Sequence, residues 1–220
     1  KRMRNLEAYE IFDQIMILNK ESTNYFSSSI SNIVFMGMGE PLLNYKNVIE
    51  SIDYITSDYG IGISYKKITV STSGISKMIK KMADDNVKFN LAVSLHSAIE
   101  HTRNKIMPFS KSFPIKDLVE SLEYWYEKTK RRITFEYLIW NNINDDFNHI
   151  NALVSICKRI PSKINLIEYN SIGNSNFQSA DEIWINNYLN ILKDNKIPVS
   201  IRRSRGKDIQ AACGQLANKH

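Results

Sequence analysis

The chain predicts an α/β fold in which parallel strands form a partial (β/α) barrel. Three observations carry that expectation. Short β-branched or aromatic runs alternate with amphipathic stretches along all 220 residues. No long linker or composition break interrupts the alternation, which predicts one domain. Polar groups recur where the apolar runs end, at Gly39-Glu40, Ser71-Thr72-Ser73, Ser94 to His96, Glu136-Tyr137, Asn170 and Arg202 to Ser204. In barrels the C-terminal ends of the strands form the active face. An open dinucleotide-binding sheet is disfavoured, because no Gly-x-Gly-x-x-Gly opens a helix after the first strand.

The elements follow in order. Leu6, Tyr9, Ile11, Phe12, Ile15, Met16 and Leu18 describe a helical face over residues 5–19. Residues 22–32 are rich in Ser and Asn and read as a loop. Ile33 to Met36 reads as a buried strand that ends in Gly37-Met38-Gly39-Glu40-Pro41. The glycines allow unusual dihedrals or close approach to a ligand, and Glu40 places a carboxylate at the strand's end. Asn44 is positioned to cap a helix with Val48, Ile49, Ile52 and Ile55 facing inward. Residues 67–72 form a second strand, and a helix follows from Ile75 to Ala83. Ser73 alone is a candidate cap for it, whereas Ser71, whose side chain points the same way, is harder to explain as one.

Phe89 to Leu95 reads as a third strand and His101 to Lys105 as a helical turn. Pro108 to Ser112 reads as loop, and Pro114 opens a helix running to Lys130. Residues 132–139 form a fourth strand. Glu136 on it requires a partner if buried, with Arg132 and Arg202 as candidates. Asp145 or Asp146 caps a helix ending near Pro161. A fifth strand covers 163–169, Ser179 caps a helix through Leu192, and a sixth strand covers 198–203.

The bulk numbers narrow the function classes. Hydrophobic residues are 43% and charged residues 24%, ordinary for a globular chain. No apolar run is long enough to span a membrane, and the N-terminal residues contain no signal-like apolar segment. A cytoplasmic, reducing setting and a monomer are expected. The net charge of +6 favours a polyanionic partner. Arg202, Arg203, Arg205 and Lys207 form the densest basic cluster, suited to phosphate contacts. Two cysteines are present. Cys157 fits a helical core frame with Leu153, Ile156 and Ile160, while Cys213 lies among small residues that leave its thiol reachable. Their spacing describes no metal site.

Taken in order, the motifs resemble a known family. They are Gly37 to Asn44, Val70 to Gly74, Val93 to His96, Thr134 to Tyr137, Ile164 to Ile167, Arg202 to Gly206 and Asp208 to Leu216. The resemblance is to the radical S-adenosylmethionine (SAM) methyltransferases of the RlmN type, which methylate C2 of adenine in 23S ribosomal RNA and tRNA. Their relative Cfr methylates C8, and the motifs leave both positions open. The resemblance implies that Gly39 and Glu40 hold the ammonium of SAM. It also implies that Ser71, Ser94, Leu95, His96 and Asn170 contact SAM, and that Cys213 becomes an S-methylcysteine intermediate. It further implies a [4Fe–4S] cluster, an electron donor, a 5′-deoxyadenosyl radical and a resolving cysteine. Small neighbours around Cys213 suit delivery of a one-carbon unit to an adenine carbon that is not nucleophilic.

One departure stands out. The family's Cys-x3-Cys-x2-Cys cluster motif is not in this sequence, and two cysteines cannot supply three thiolates. Arg4-Asn5-Leu6 looks like the segment that follows that motif, and the chain starts without Met. The expectation is therefore a barrel portion over residues 1–206, lacking the first strand and cluster loop, with a tail over 207–220. The chain alone is expected to lack cluster-dependent turnover. Two alternatives stay open, a truncated or split homologue that only binds SAM or RNA, and an unrelated barrel enzyme without radical chemistry. A smaller departure is Glu168-Tyr169-Asn170-Ser171, where the family more often has Pro-aromatic-Asn-Pro.

Overall fold

A computed structural model of the chain describes residues 4–170 and 177–203. Six strands lie in one sheet in the order of the sequence: β1 (Ile33–Phe35), β2 (Ile68–Thr72), β3 (Asn90–Ser94), β4 (Ile133–Leu138), β5 (Ser162–Ile167) and β6 (Val199–Arg202). The registers of β1 with β2, and of β3 through β6, are parallel. Sequential order with helical crossovers is the topology of a (β/α) barrel, here a partial one. The helices are α1 (Ala8–Phe26), α2 (Tyr45–Thr56), α3 (Ser76–Asp84), α4 (Glu100–Ile106), α5 (Ile115–Thr129), α6 (Phe147–Arg159) and α7 (Glu182–Asp194).

The chain divides into two compact units. The first comprises residues up to Thr72 together with Val87–Leu91. In it α1 packs on α2, and Leu42, Val48, Ile52, Ile55, Ile68, Val70 and Phe89 are buried. The second comprises Ser73–Asn86 and the chain from Ala92 onward. There α3 packs on α5, and Leu118, Leu122, Trp125, Phe135, Ile164 and Leu166 are buried. On β4 and β5 the apolar set Ile133, Phe135, Tyr137, Ile164 and Leu166 takes one face of the pleat. Thr134, Glu136, Lys163 and Asn165 take the other.

Several expectations are corrected. The helix expected to stop near Asn19 runs to Phe26, across half of the expected loop. Thr23 Oγ1 donates to the Asn19 carbonyl, so a polar residue satisfies itself on the helix instead of breaking it. Ser27, at φ 52°, ends the helix with its N–H on the Thr23 carbonyl. β1 is an edge strand, not a buried one, with Val34 45% exposed. Asn44 occupies the cap position of α2 but its side chain makes no cap bond, and Nδ2 donates to the Leu6 carbonyl. Neither Ser73 nor Ser179 caps a helix. Ile75 and Asp181 stand at those positions, and Ser179 bridges Trp140. Residues Pro108–Ser112 form a 3-10 turn, and residues 101–105 lie within a full helix, α4. The cap of α6 is Asp146.

Candidate functional site

In the first unit the site begins where β1 stops. Gly39 has φ 92°, and a Cβ built there would meet nothing within 4 Å. That backbone conformation favours glycine. That turn delivers Glu40 to the N-cap of a 3-10 turn, Pro41–Asn44, where Oε1 accepts from the Leu42 N–H at 3.0 Å. The carboxylate is thereby oriented. The capped turn packs against β2, whose Ser71 is buried.

In the second unit the strand ends are tied together by backbone. Leu95 N–H donates to the Glu136 carbonyl at 3.1 Å, and its own carbonyl accepts from Ser97 at 2.7 Å. The Leu95 side chain is buried. His96 sits at φ 56°, unusual for a residue with a side chain. Three contacts hold it there. Its N–H points to the Glu136 carbonyl at 3.4 Å. Its carbonyl accepts from Asn144 Nδ2 at 2.8 Å, and its Nδ1 accepts from the Leu138 N–H at 3.2 Å. A ring nitrogen that accepts a peptide N–H carries no proton, so the proton is on Nε2. Burial, with the Arg103 guanidinium adding, pushes the imidazole down to about 3. His96 is a neutral donor through Nε2 at physiological pH.

Trp140, which the sequence reasoning did not single out, gathers this end of the unit. Its ring meets His96 at 5.7 Å, Tyr169 at 6.3 Å and Phe177 at 5.7 Å between centroids. Asn170, next to Tyr169, is buried. Asn144 was also missed, and it is wholly buried while joining His96, Leu138 and Trp140. It lies in the turn between β4 and α6, where a buried amide serves several backbone groups at once.

Of the two candidate partners for buried Glu136, Arg202 acts on it electrostatically, and a hydrogen-bond partner not foreseen is Asn165. Asn165 Nδ2 donates to Glu136 Oε1 at 3.0 Å. Arg202 and Lys163 act through their fields, and burial, the larger effect, raises the Glu136 carboxyl. Arg202 and Arg203 are exposed at the end of β6, while Arg205, Lys207 and Cys213 lie outside the described residues. Cys157 is buried on α6 as expected, and burial pushes its thiol up to about 11.

No family model matches the chain. Individual relatives do. It is 63% identical over 219 residues to the "Probable dual-specificity RNA methyltransferase RlmN" of Flavobacterium psychrophilum, covering 100% of this chain and 63% of that protein. It is 64% identical, with the same coverages, to the like-named protein of Flavobacterium johnsoniae. A radical SAM methyltransferase structure from Sphaerobacter thermophilus superposes with TM-score 0.92 at 33% identity, covering 97% of this chain and 62% of that one. The chain belongs to the RlmN family of radical SAM methyltransferases. It spans less than two thirds of the length of these family members. A domain of a pyruvate-formate lyase-activating enzyme from Bacteroides vulgatus shares the fold at 17% identity, TM-score 0.58 and 79% of this chain.

The two groups that the family implies fit this chain differently. SAM carries an ammonium, hydroxyls and ring nitrogens. The first unit offers an oriented carboxylate at Glu40, and the second a neutral donor at His96 and a buried carboxyl at Glu136. Those suit it. The cluster does not fit, because the sequence holds two cysteines and no three-ligand group occurs among the described residues.

Proposed function

We propose that the complete protein is a radical SAM RNA methyltransferase acting on C2 of adenine in 23S rRNA and tRNA. The observation that carries this reading is identity above 60% across the whole chain with two proteins named as dual-specificity RNA methyltransferases. Glu40 receives the ammonium of SAM as a charge-assisted pair, on a turn that Gly39 makes possible. Ser71, Ser94, Leu95 and Asn170 contact the rest of the molecule, and His96 donates from Nε2. Cys213 accepts the first methyl. Its sulfur forms a bond to the methyl carbon, S-adenosylhomocysteine departs and the thiol proton goes to solvent, leaving S-methylcysteine.

An iron–sulfur cluster and its electron donor would supply the one-electron chemistry, and the two cysteines of this sequence cannot hold it alone. The exposed arginines Arg202 and Arg203, with Arg205 and Lys207, attract the RNA phosphates.

The test uses the complete, cluster-loaded protein. Glu40→Ala weakens SAM binding in calorimetry, and unchanged affinity removes Glu40 from the site. Cys213→Ala abolishes RNA methylation yet spares SAM cleavage, and a fully active variant refutes its role. Binding of SAM or RNA without any methyl transfer by the complete protein favours the binding-only alternative.

A further inference from the structure

Across the second unit the strand registers align four polar side chains in one row. Ser94 on β3 pairs with Glu136 on β4, Glu136 with Asn165 on β5, and Asn165 with Ser200 on β6. Residues in register on parallel strands present their side chains to the same face, about 4.8 Å apart. The row is wired in one direction. Ser200 Oγ donates to Asn165 Oδ1 at 2.9 Å, which turns the amide so that Nδ2 donates to Glu136 Oε1 at 3.0 Å. The chain of bonds ends there. Glu136 is 3% exposed, yet its Oε2 has no hydrogen-bond partner among the described residues.

Folding alone does not account for this arrangement. A buried carboxylate oxygen without a donor is costly, and a Leu or Met would fill the position without that cost. Two neighbouring residues are spent on aiming a group whose second oxygen is left over. Asn165 occupies the β5 side of the carboxylate. The residue in register on the β3 side is Ser94, a position the family resemblance assigns to SAM. An acceptor beside a serine suits a vicinal diol, whose two hydroxyls donate to one group and exchange bonds with the other.

We propose that Glu136 is a further ligand residue, its Oε2 accepting a hydrogen bond from a ribose hydroxyl of bound SAM, with Asn165 and Ser200 as the residues that position it. This rests on the SAM-binding reading above.

The test measures calorimetric affinity of the complete, cluster-loaded protein for SAM and for its 2′-deoxy and 3′-deoxy analogues. In Glu136→Gln the affinity for SAM falls about tenfold, the range of a hydrogen bond to a charged group. For one of the deoxy analogues the same substitution has little further effect, because the donor is already gone. Asn165→Ala, which leaves the carboxylate in place but loosens it, shows the same pattern at smaller size. Glu40→Ala serves as the control and weakens all three ligands equally. Unchanged SAM affinity in Glu136→Gln overturns the assignment, as does an equal loss for SAM and both deoxy analogues. If the unsubstituted protein does not bind SAM, the underlying reading and this one both fall. Binding that persists without coupling to a hydroxyl removes this one alone.

Discussion

At the scale of single residues, burial shifts the protonation equilibria of two side chains at the strand ends, His96 downward and Glu136 upward. His96 stays neutral because its ring is packed against Trp140 and near Arg103, and because Leu138 occupies Nδ1. Its folded value of about 3 lies below the ordinary 6.5, so its contribution to stability is present above pH 6.5 and is lost as pH falls through 3. Glu136 works in the opposite sense. Burial raises it above 4.5, so the folded state holds the proton more tightly than the unfolded chain. Stability from this group is present below pH 4.5 and is lost as pH rises through the raised value. Glu136→Gln removes that loss. Without SAM, thermal unfolding of this variant at about pH 8 occurs at or above the parent temperature, and the advantage shrinks toward pH 4.5. A buried acid that lowers apo stability while improving ligand affinity is the signature expected of a binding group. A variant that is less stable across the whole range would identify Glu136 as a structural residue.

At the scale of elements, α6 begins at a side-chain cap, whereas α2, α3 and α7 begin without a side-chain cap bond. Asp146 caps α6 with both oxygens, Oδ1 on the His149 N–H at 2.9 Å and Oδ2 on His149 Nδ1 at 2.7 Å. His149 Nε2 lies 3.0 Å from Thr102 Oγ1 on α4. Removing the carboxylate frees a helix N–H and loosens the ring that joins α6 to α4. Asp146→Ala therefore costs about 1–2 kcal/mol in urea unfolding, with little change in the slope. A cost below about 0.5 kcal/mol would show the cap to be redundant. The six strands were legible to within about two residues, because β-branched runs between turn residues leave few other readings. The end of α1 and the turn at Pro108–Ser112 were not. Ser and Asn favour loops in isolation, and only the bonds they make in place show when they continue a helix.

At the scale of the whole molecule, charge and partner are linked. Under the proposed RNA-binding function, the net charge of +6 on this chain and the exposed Arg202 and Arg203 predict an RNA affinity that falls with salt. Arg203 lies outside the Glu136 row, so its substitution separates RNA attraction from SAM binding. Arg203→Ala lowers the slope of log affinity against log salt by about 0.7 and leaves SAM affinity unchanged. An unaltered slope in filter-binding titrations excludes Arg203 from the RNA contact. No helix among the described residues is long and apolar enough to cross a membrane.

The sequence by itself determined the family, the parallel α/β order and the placement of polar residues at strand ends. All three are local patterns, a run, a turn or a motif, and local patterns survive in one dimension. Only the tertiary structure decided what those residues do. The conformational demand at Gly39 became visible from its φ, the tautomer of His96 from the Leu138 N–H, and the partner of Glu136 from strand register. Asn165 is 29 residues from Glu136. Nothing in the intervening sequence announces the pairing, because register is set by how whole strands align their apolar faces. The same alignment leaves one carboxylate oxygen without a donor among the described residues, and that property belongs to the fold and to no single motif.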